Sequence, residues 1–142
     1  MITLENVEAQ TLYYKTIDLA KKSLPAFRDF YPDMRLVVVD NSGGDDCTMF
    51  LREWVGRDKN AMLLETPRNL GHGKGMDFGI KRSKSKYVFL FESDVIMHHG
   101  RIIEKMIENM TEQAYEGATQ QYNDYKGQID GYLFFSEIRE IP

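Results

Sequence analysis

The stretch Tyr87-Val88-Phe89-Leu90-Phe91-Glu92-Ser93-Asp94 runs five apolar residues straight into two carboxylates. An unbroken β-branched and aromatic run reads as a strand buried on both faces. Strands of that kind belong to parallel sheets covered by helices, where ligands bind outside the carboxyl ends. Glu92 and Asp94 therefore stand where the strand leaves the core. Two carboxylates one residue apart, presented by a rigid strand, are hard oxygen ligands for a divalent cation, and such a cation bridges to phosphate.

Working outward, a second apolar run, Met34 to Val39, reads as another strand and stops at the turn cluster Asp40-Asn41-Ser42-Gly43-Gly44-Asp45-Asp46. Cys47 to Val55 follows as a helix with Phe50, Leu51 and Trp54 inward, capped by Asp45 or Asp46. Met62-Leu63-Leu64 is a third, short strand, Pro67 to Gly75 a glycine-rich loop, and Met76 to Arg82 a helix. Before these, Ile2 to Val7 alternates weakly as a strand. From Gln10 a helical period sets in, with Tyr13, Ile17, Ala20, Leu24 and Phe27 on one face. Pro25 is expected to end or kink that helix near Ser23. Arg101 to Gln113 is an amphipathic helix with Ile103, Met106 or Ile107, and Met110 on its apolar face.

Alternating strands and helices predict an α/β fold, a three-layer α/β/α sandwich with a mostly parallel central sheet. Leu36 to Val39 and Tyr87 to Phe91 are expected to be interior neighbours in it. Tyr115 to Tyr122 and Gly131 to Phe135 read as strands with no helix between them. They predict a mixed or antiparallel addition that finishes the sheet or pairs with another copy of the chain.

With 142 residues the chain makes one domain, 1–142. A net charge of −4 argues against a nucleic-acid partner, because a phosphate backbone attracts basic surfaces. The single cysteine, Cys47, excludes an internal disulfide. No apolar run approaches the roughly 20 residues of a membrane span. The acidic N-terminus is not a signal peptide, so the expected location is cytoplasmic.

Three turns carry the chemistry: Asp40 to Ser42, Asn69-Leu70-Gly71-His72-Gly73-Lys74-Gly75, and Glu92-Ser93-Asp94. In a parallel sheet all three fall on one edge and converge on one ligand, so Asp40, Gly71 and Asp94 are expected on one rim and within one pocket. The glycine loop has neither the Walker spacing nor a GxGxxG fingerprint. Of the adjacent His98 and His99, at most one side chain would reach a bound ion. His72, inside the loop, is the better candidate for touching a sugar or phosphate.

In these motifs the chain resembles the nucleotide-sugar-binding half of the family-2, GT-A-fold glycosyltransferases. Val37-Val38-Val39-Asp40-Asn41-Ser42 matches that family's apolar strand ending in Asp-Asn/Asp-x-Ser. Asn69-Leu70-Gly71-His72-Gly73-Lys74-Gly75-Met76-Asp77-Phe78-Gly79-Ile80 matches its glycine loop and helix, with Asp77 where Asn is usual. Glu92-Ser93-Asp94 matches its Asp-x-Asp, with Glu in first place. The order and spacing of the three hold over roughly the first 110 residues.

The resemblance implies a transferase that moves a sugar from a nucleotide-diphosphate donor to an unknown acceptor, metal-assisted and inverting. It implies nucleotide-sugar contacts from Asp40, Asn41, Ser42, Asn69, Gly71, His72, Gly73, Lys74 and Glu92. Mn²⁺ or Mg²⁺ would be held by Asp94, with Glu92 acting on the ion through water or on the ribose. Two features depart from the family. Its first strand ends in Pro-Thr-x-Asn, and near Leu4 to Gln10 only Asn6 and Glu8 are polar candidates. Its general base lies well after the metal motif, and here no motif selects among Asp124, Asp130, Glu137 and Glu140. A short form without a separate acceptor-binding region follows as the expectation. The alternative is a catalytically weak nucleotide-sugar-binding or assembly module.

Overall fold

The structure, a computed structural model, describes residues 3–108 together with the backbone of 129–130 and 136–140. Its main sheet contains β1 (Val7–Tyr13), β2 (Leu36–Asp40), β3 (Ala61–Glu65), β4 (Tyr87–Phe91) and β7 (Ser136–Glu140), in the order β3-β2-β1-β4-β7. The first four are parallel and β7 is antiparallel to β4. Helices α1 (Ile17–Phe30), α2 (Asp46–Gly56) and α4 (102–108) cover one face, and α3 (His72–Ile80) covers the other. This is the three-layer sandwich the sequence predicts. A second, two-stranded ladder pairs β5 (Ile96–Met97) with β6 (Ile129–Asp130).

The first strand is not Ile2 to Val7. It is β1, which begins where that expectation ended and takes the centre of the sheet between β2 and β4. The runs 36–39 and 87–91 are both interior, yet they are not neighbours, because β1 lies between them. All seven β1 residues are buried, including Glu8, Gln10 and Thr11. Tyr13 accordingly belongs to the strand, and the helical period starts only at Ile17.

Pro25 neither ends α1 nor splits it, since the helix runs unbroken to Phe30. Proline removes one helical N–H and crowds the preceding turn. Here the buried Leu24 and Phe27 on either side anchor the helix, with Phe27 stacked on Phe91 at 5.1 Å between ring centroids. α2 is capped by Asp45, whose side chain accepts from Thr48 N at 3.2 Å. Cys47, Thr48, Leu51 and Val55 are its buried residues, with Phe50 and Trp54 only partly buried against the core. α4 buries Ile102, Ile103, Met106 and Ile107. The expected strands Tyr115 to Tyr122 and Gly131 to Phe135 lie outside the described residues, as do the rest of the Arg101 to Gln113 helix and Met110. The antiparallel edge is formed by β7, just after the second of them.

Arg28 ties the C-terminal end of α1 to the loop before β3. Its guanidinium bonds both Asp58 oxygens, at 2.7 and 3.1 Å, and the carbonyls of Tyr31 and Met34. Burial is the largest single influence and acts to raise the Asp58 pKa, but the hydrogen bonds from Arg28 and from Asn60 N, with the Arg28 charge, together outweigh it and hold the carboxyl below its usual range. A depressed folded pKa gives stability that is present above the unfolded value, near 4, and lost as pH falls through the folded one. Asp58→Asn is therefore expected to cost about 2 kcal/mol at pH 7. Urea unfolding of both proteins should show the gap shrinking as the parent is taken below pH 4.

Candidate functional site

The carboxyl ends of β1, β2 and β4 and the N-terminus of α3 meet at one rim of the sheet. There they enclose a cleft of about 350 Å³ whose walls include Tyr14, Thr16, Asn41, Asn69, His72 and Glu92. Gly71 and Ser93 also line it. The cleft thus draws on all three predicted turns.

Asn41 is the joint between them. Its backbone N–H donates to Tyr13 O at 2.9 Å, which locks the end of β2 to β1. Its side-chain Nδ2 donates to Asn69 Oδ1 and to Gly71 O, while Oδ1 accepts from Thr66 Oγ1 and from Leu70 N. Four hydrogen bonds satisfy this buried carboxamide and fix the 66–71 loop against the strand end. Asp40 and Ser42 are also buried. Asp40 Oδ1 accepts from Ser42 N at 2.9 Å, and Ser42 Oγ accepts from Lys15 N at 2.9 Å. Asp40 and Ser42 are not among the cleft-lining residues, so these two side chains brace the rim from beneath while Asn41 lines it.

The glycine loop is shorter than its sequence suggests, because α3 begins at His72 and not at Met76. Gly71 caps the helix at φ +81°, a conformation that favours glycine, and its Asn69 neighbour reaches back to accept from Gly71 N. A Cβ on Gly73 would meet nothing within 4 Å. Gly75 has a different job: a Cβ there would stand 2.4 Å from Leu12 Cδ1 and 3.3 Å from Asn41 Nδ2. It allows α3 to lie close on β1. Lys74 is exposed on α3 and is not among the residues lining the cleft.

Across the cleft, His72 Nε2 stands 3.1 Å from Glu92 Oε1. The contact joins the start of α3 to the end of β4. Asp94 follows in a turn closed by Val95 N donating to Glu92 O at 3.1 Å, and it is half-buried. It shares the rim with Gly71 and lies next to the lining residue Ser93, but of Asp40, Gly71 and Asp94 only Gly71 lines the cleft itself, because Asp40 is turned onto Ser42 N and Asp94 stands one residue further along the 92–95 turn. Among the described residues no three His, Cys, Asp or Glu side chains gather into a metal cage. A hard cation that bridges phosphate does not need one, since it takes one or two carboxylates and fills its other positions with phosphate oxygens and water. Glu92 and Asp94 fit that pattern. His98 and His99 are exposed beyond it.

The sequence places the end of the first strand near Leu4 to Gln10, and in the structure that strand ends at Tyr13. Asn6 sits before β1, at the opposite end from the cleft, and Glu8 lies near that end too. The residues that reach the site there are Tyr14 and Thr16. Lys15 between them takes φ +53°, a left-handed conformation uncommon for a lysine. Thr16 Oγ1 is buried without a hydrogen-bond partner among the described residues. The helical spacing from Tyr13 to Ile17 hid this junction. Of the acidic candidates for a general base, Asp124 lies outside the described residues. Register places Asp130 opposite Ile96 and Glu137 opposite Leu90. Glu140 is opposite Tyr87, at the far end of β4.

No described helix is long and apolar enough to cross a membrane. Solved structures share the fold at low identity. One is the mannosyltransferase PcManGT from Pyrobaculum calidifontis in complex with GDP-Man and Mn²⁺ (TM-score 0.68, 17% identity, 76% of this chain and 33% of that one). Another is S. aureus TarS 1–349 in complex with UDP-GlcNAc (TM-score 0.62, 17% identity, 77% of this chain and 32% of that one). The chain spans about a third of the length of these structures. No curated protein sequence matches it. Residues 8–139 match the family described as glycosyl transferase family 2, and the chain, with its GT-A fold, belongs to that family.

Proposed function

We propose that the rim cleft binds a nucleotide-diphosphate sugar with a divalent cation, Mn²⁺ or Mg²⁺, and that the chain transfers the sugar to an acceptor with inversion. The observation that carries this reading is the His72–Glu92 contact at 3.1 Å, which closes the glycine turn onto the acidic motif around one cleft. Asp94 would hold the cation and Glu92 would steady it through water or meet the ribose. The bound cation would supply Lewis-acid stabilisation of charge on the departing nucleoside diphosphate. Tyr14 and Thr16, whose Oγ1 has no hydrogen-bond partner among the described residues, line the same cleft and would offer an aromatic surface and a hydrogen bond to the nucleoside. Support also comes from the Mn²⁺ and GDP-Man bound to the mannosyltransferase of like fold.

A nucleoside diphosphate that binds the native state raises its melting temperature by mass action. A thermal-shift panel of UDP, GDP and their sugars should therefore give shifts of several degrees with Mn²⁺ and small ones without it. No shift for any of them, with or without metal, overturns the reading. The second reading is a donor-binding module without transfer, and it is supported by the cleft lining, where Glu92 is the one carboxylate among the described residues. Donor hydrolysis or transfer that is lost in Asp130→Asn, with donor binding retained, favours the enzyme. Asp130 is the best placed of the three described candidates, since its partner Ile96 lies just beyond Asp94, whereas Glu137 and Glu140 pair inside the main sheet. Binding with no turnover favours the module.

A further inference from the structure

We propose a second ligand site at the opposite end of the sheet, for a small phosphate ester that carries a hydroxyl or an amine. α3 ends at Ile80, before this end of the sheet. There a cleft of about 310 Å³ is lined by Glu8, Arg35, Lys59, Asn60, Met62 and Lys84. Three cations surround one carboxylate, in a chain whose net charge is −4.

The carboxylate is the telling group. Glu8 is only 3% exposed. Its Oε2 accepts from Ser83 Oγ at 2.9 Å, but its Oε1 is buried with no hydrogen-bond partner among the described residues. A buried acceptor left without a partner is costly, so it marks a place for a donor. Lys59 and Lys84 have no ion pair or side-chain hydrogen bond to a described residue, while Arg35 is anchored to Ser85 Oγ. The backbone sets the separation. Ala9 N bonds Arg35 O and Leu36 N bonds Asn60 O, so Glu8, Arg35 and Asn60 lie at one level on three successive strands. Two strand spacings make about 10 Å from Glu8 to the Lys59–Asn60 corner. A bare anion would satisfy the lysines and be repelled by Glu8. A phosphate ester with a donor at its far end answers both, the donor meeting Glu8 Oε1 and the phosphate meeting Lys59 and Lys84.

Calorimetry on the whole chain tests this with three probes: methyl phosphate, glycerol 3-phosphate and phosphoethanolamine. At least one of the two donor-bearing esters should bind tenfold or more tighter than methyl phosphate. Glu8→Gln should abolish that preference, and Lys84→Ala should weaken the ester about tenfold. A melting curve for each variant shows that it folds, and Lys84→Ala, an exposed change, keeps the test open if Glu8→Gln does not. The binding should be unaltered by saturating UDP and Mn²⁺, because the rim cleft is at the other end of the strands. Sedimentation with phosphatidylglycerol vesicles should give no pellet, since Glu8 lies at the floor of the cleft, out of reach of a headgroup held in a bilayer. Equal affinity for all three probes, no affinity for any at 10 mM (about −3 kcal/mol), or indifference to both substitutions overturns the site. A vesicle pellet replaces the free ester with a lipid headgroup and overturns the soluble ligand.

Discussion

Asp94→Asn is expected to lower the affinity for a nucleoside diphosphate in Mn²⁺ about 100-fold, close to 3 kcal/mol, and to leave the fold intact. The expectation rests on how few protein groups surround the ion's place. With no cage of three ligating side chains among the described residues, each carboxylate carries a large share of the binding. Asp94 has no hydrogen bond or ion pair to a described residue, so it is available to a cation. It sits in the 92–95 turn, half-buried, past the end of β4, so asparagine keeps its volume without disturbing the core. Stability should move by less than about 1 kcal/mol, and a small gain is reasonable once two neighbouring carboxylates no longer repel. Glu92→Gln should cost less, about tenfold, because Glu92 already faces His72 and glutamine retains an oxygen for a water or hydroxyl contact. Calorimetric titration of the parent and both variants, with and without Mn²⁺, checks the order. If the parent binds without regard to metal, or Asp94→Asn binds as tightly as the parent, then residues 92–94 are a turn and nothing more.

The strands that are apolar without interruption were legible in the sequence because burial on both faces leaves no alternative composition: Leu36 to Val39 and Tyr87 to Phe91 lie inside β2 and β4 as read. Their turns follow directly, so the 40–42 and 92–94 parts of the rim were legible with them. β1 was not, and the reason is chemical. Val7-Glu8-Ala9-Gln10-Thr11-Leu12-Tyr13 interleaves polar residues as a half-exposed strand would, yet every residue is buried. Gln10 is covered because α3 presses on it, with Gln10 Nε2 donating to Met76 O across 66 residues of sequence. No local pattern reports that contact. Missing β1 also cost the order of the interior strands and the site residues Tyr14 and Thr16. The 71–75 glycines misled in the opposite sense. They signal a loop by propensity, but Gly73 and Gly75 are helical, and Gly75 is there because the sheet lies too close for a side chain.

That close approach leads to the largest expected stability loss, at Gly79→Ala. A Cβ on Gly79 would stand 2.5, 2.7 and 2.9 Å from Oε1, Cδ and Nε2 of Gln10, so the whole carboxamide lies flat against the glycine. Real Cβ atoms do not approach so closely, and one of the two must move. Gln10 has nowhere cheap to go: it is fully buried in the central strand, and its Nε2 donates to Met76 O at 2.8 Å. Overpacking a core costs about 1–3 kcal/mol, and breaking the buried hydrogen bond adds a comparable amount. Alanine returns about 1 kcal/mol through its better helix propensity. The net expectation is a loss of about 3 kcal/mol, read as a lower urea midpoint with an unchanged slope. Gln10→Ala removes the obstructing carboxamide and should itself destabilise by leaving a cavity. In that background Gly79→Ala should be neutral or stabilising, because the new methyl enters the vacated space and only the helix-propensity gain remains. The double-mutant cycle should thus give a coupling of about 3 kcal/mol between residues 10 and 79. Additive effects of the two substitutions would mean that α3 does not rest on β1 through this pair, and that the glycines of α3 serve the cleft alone.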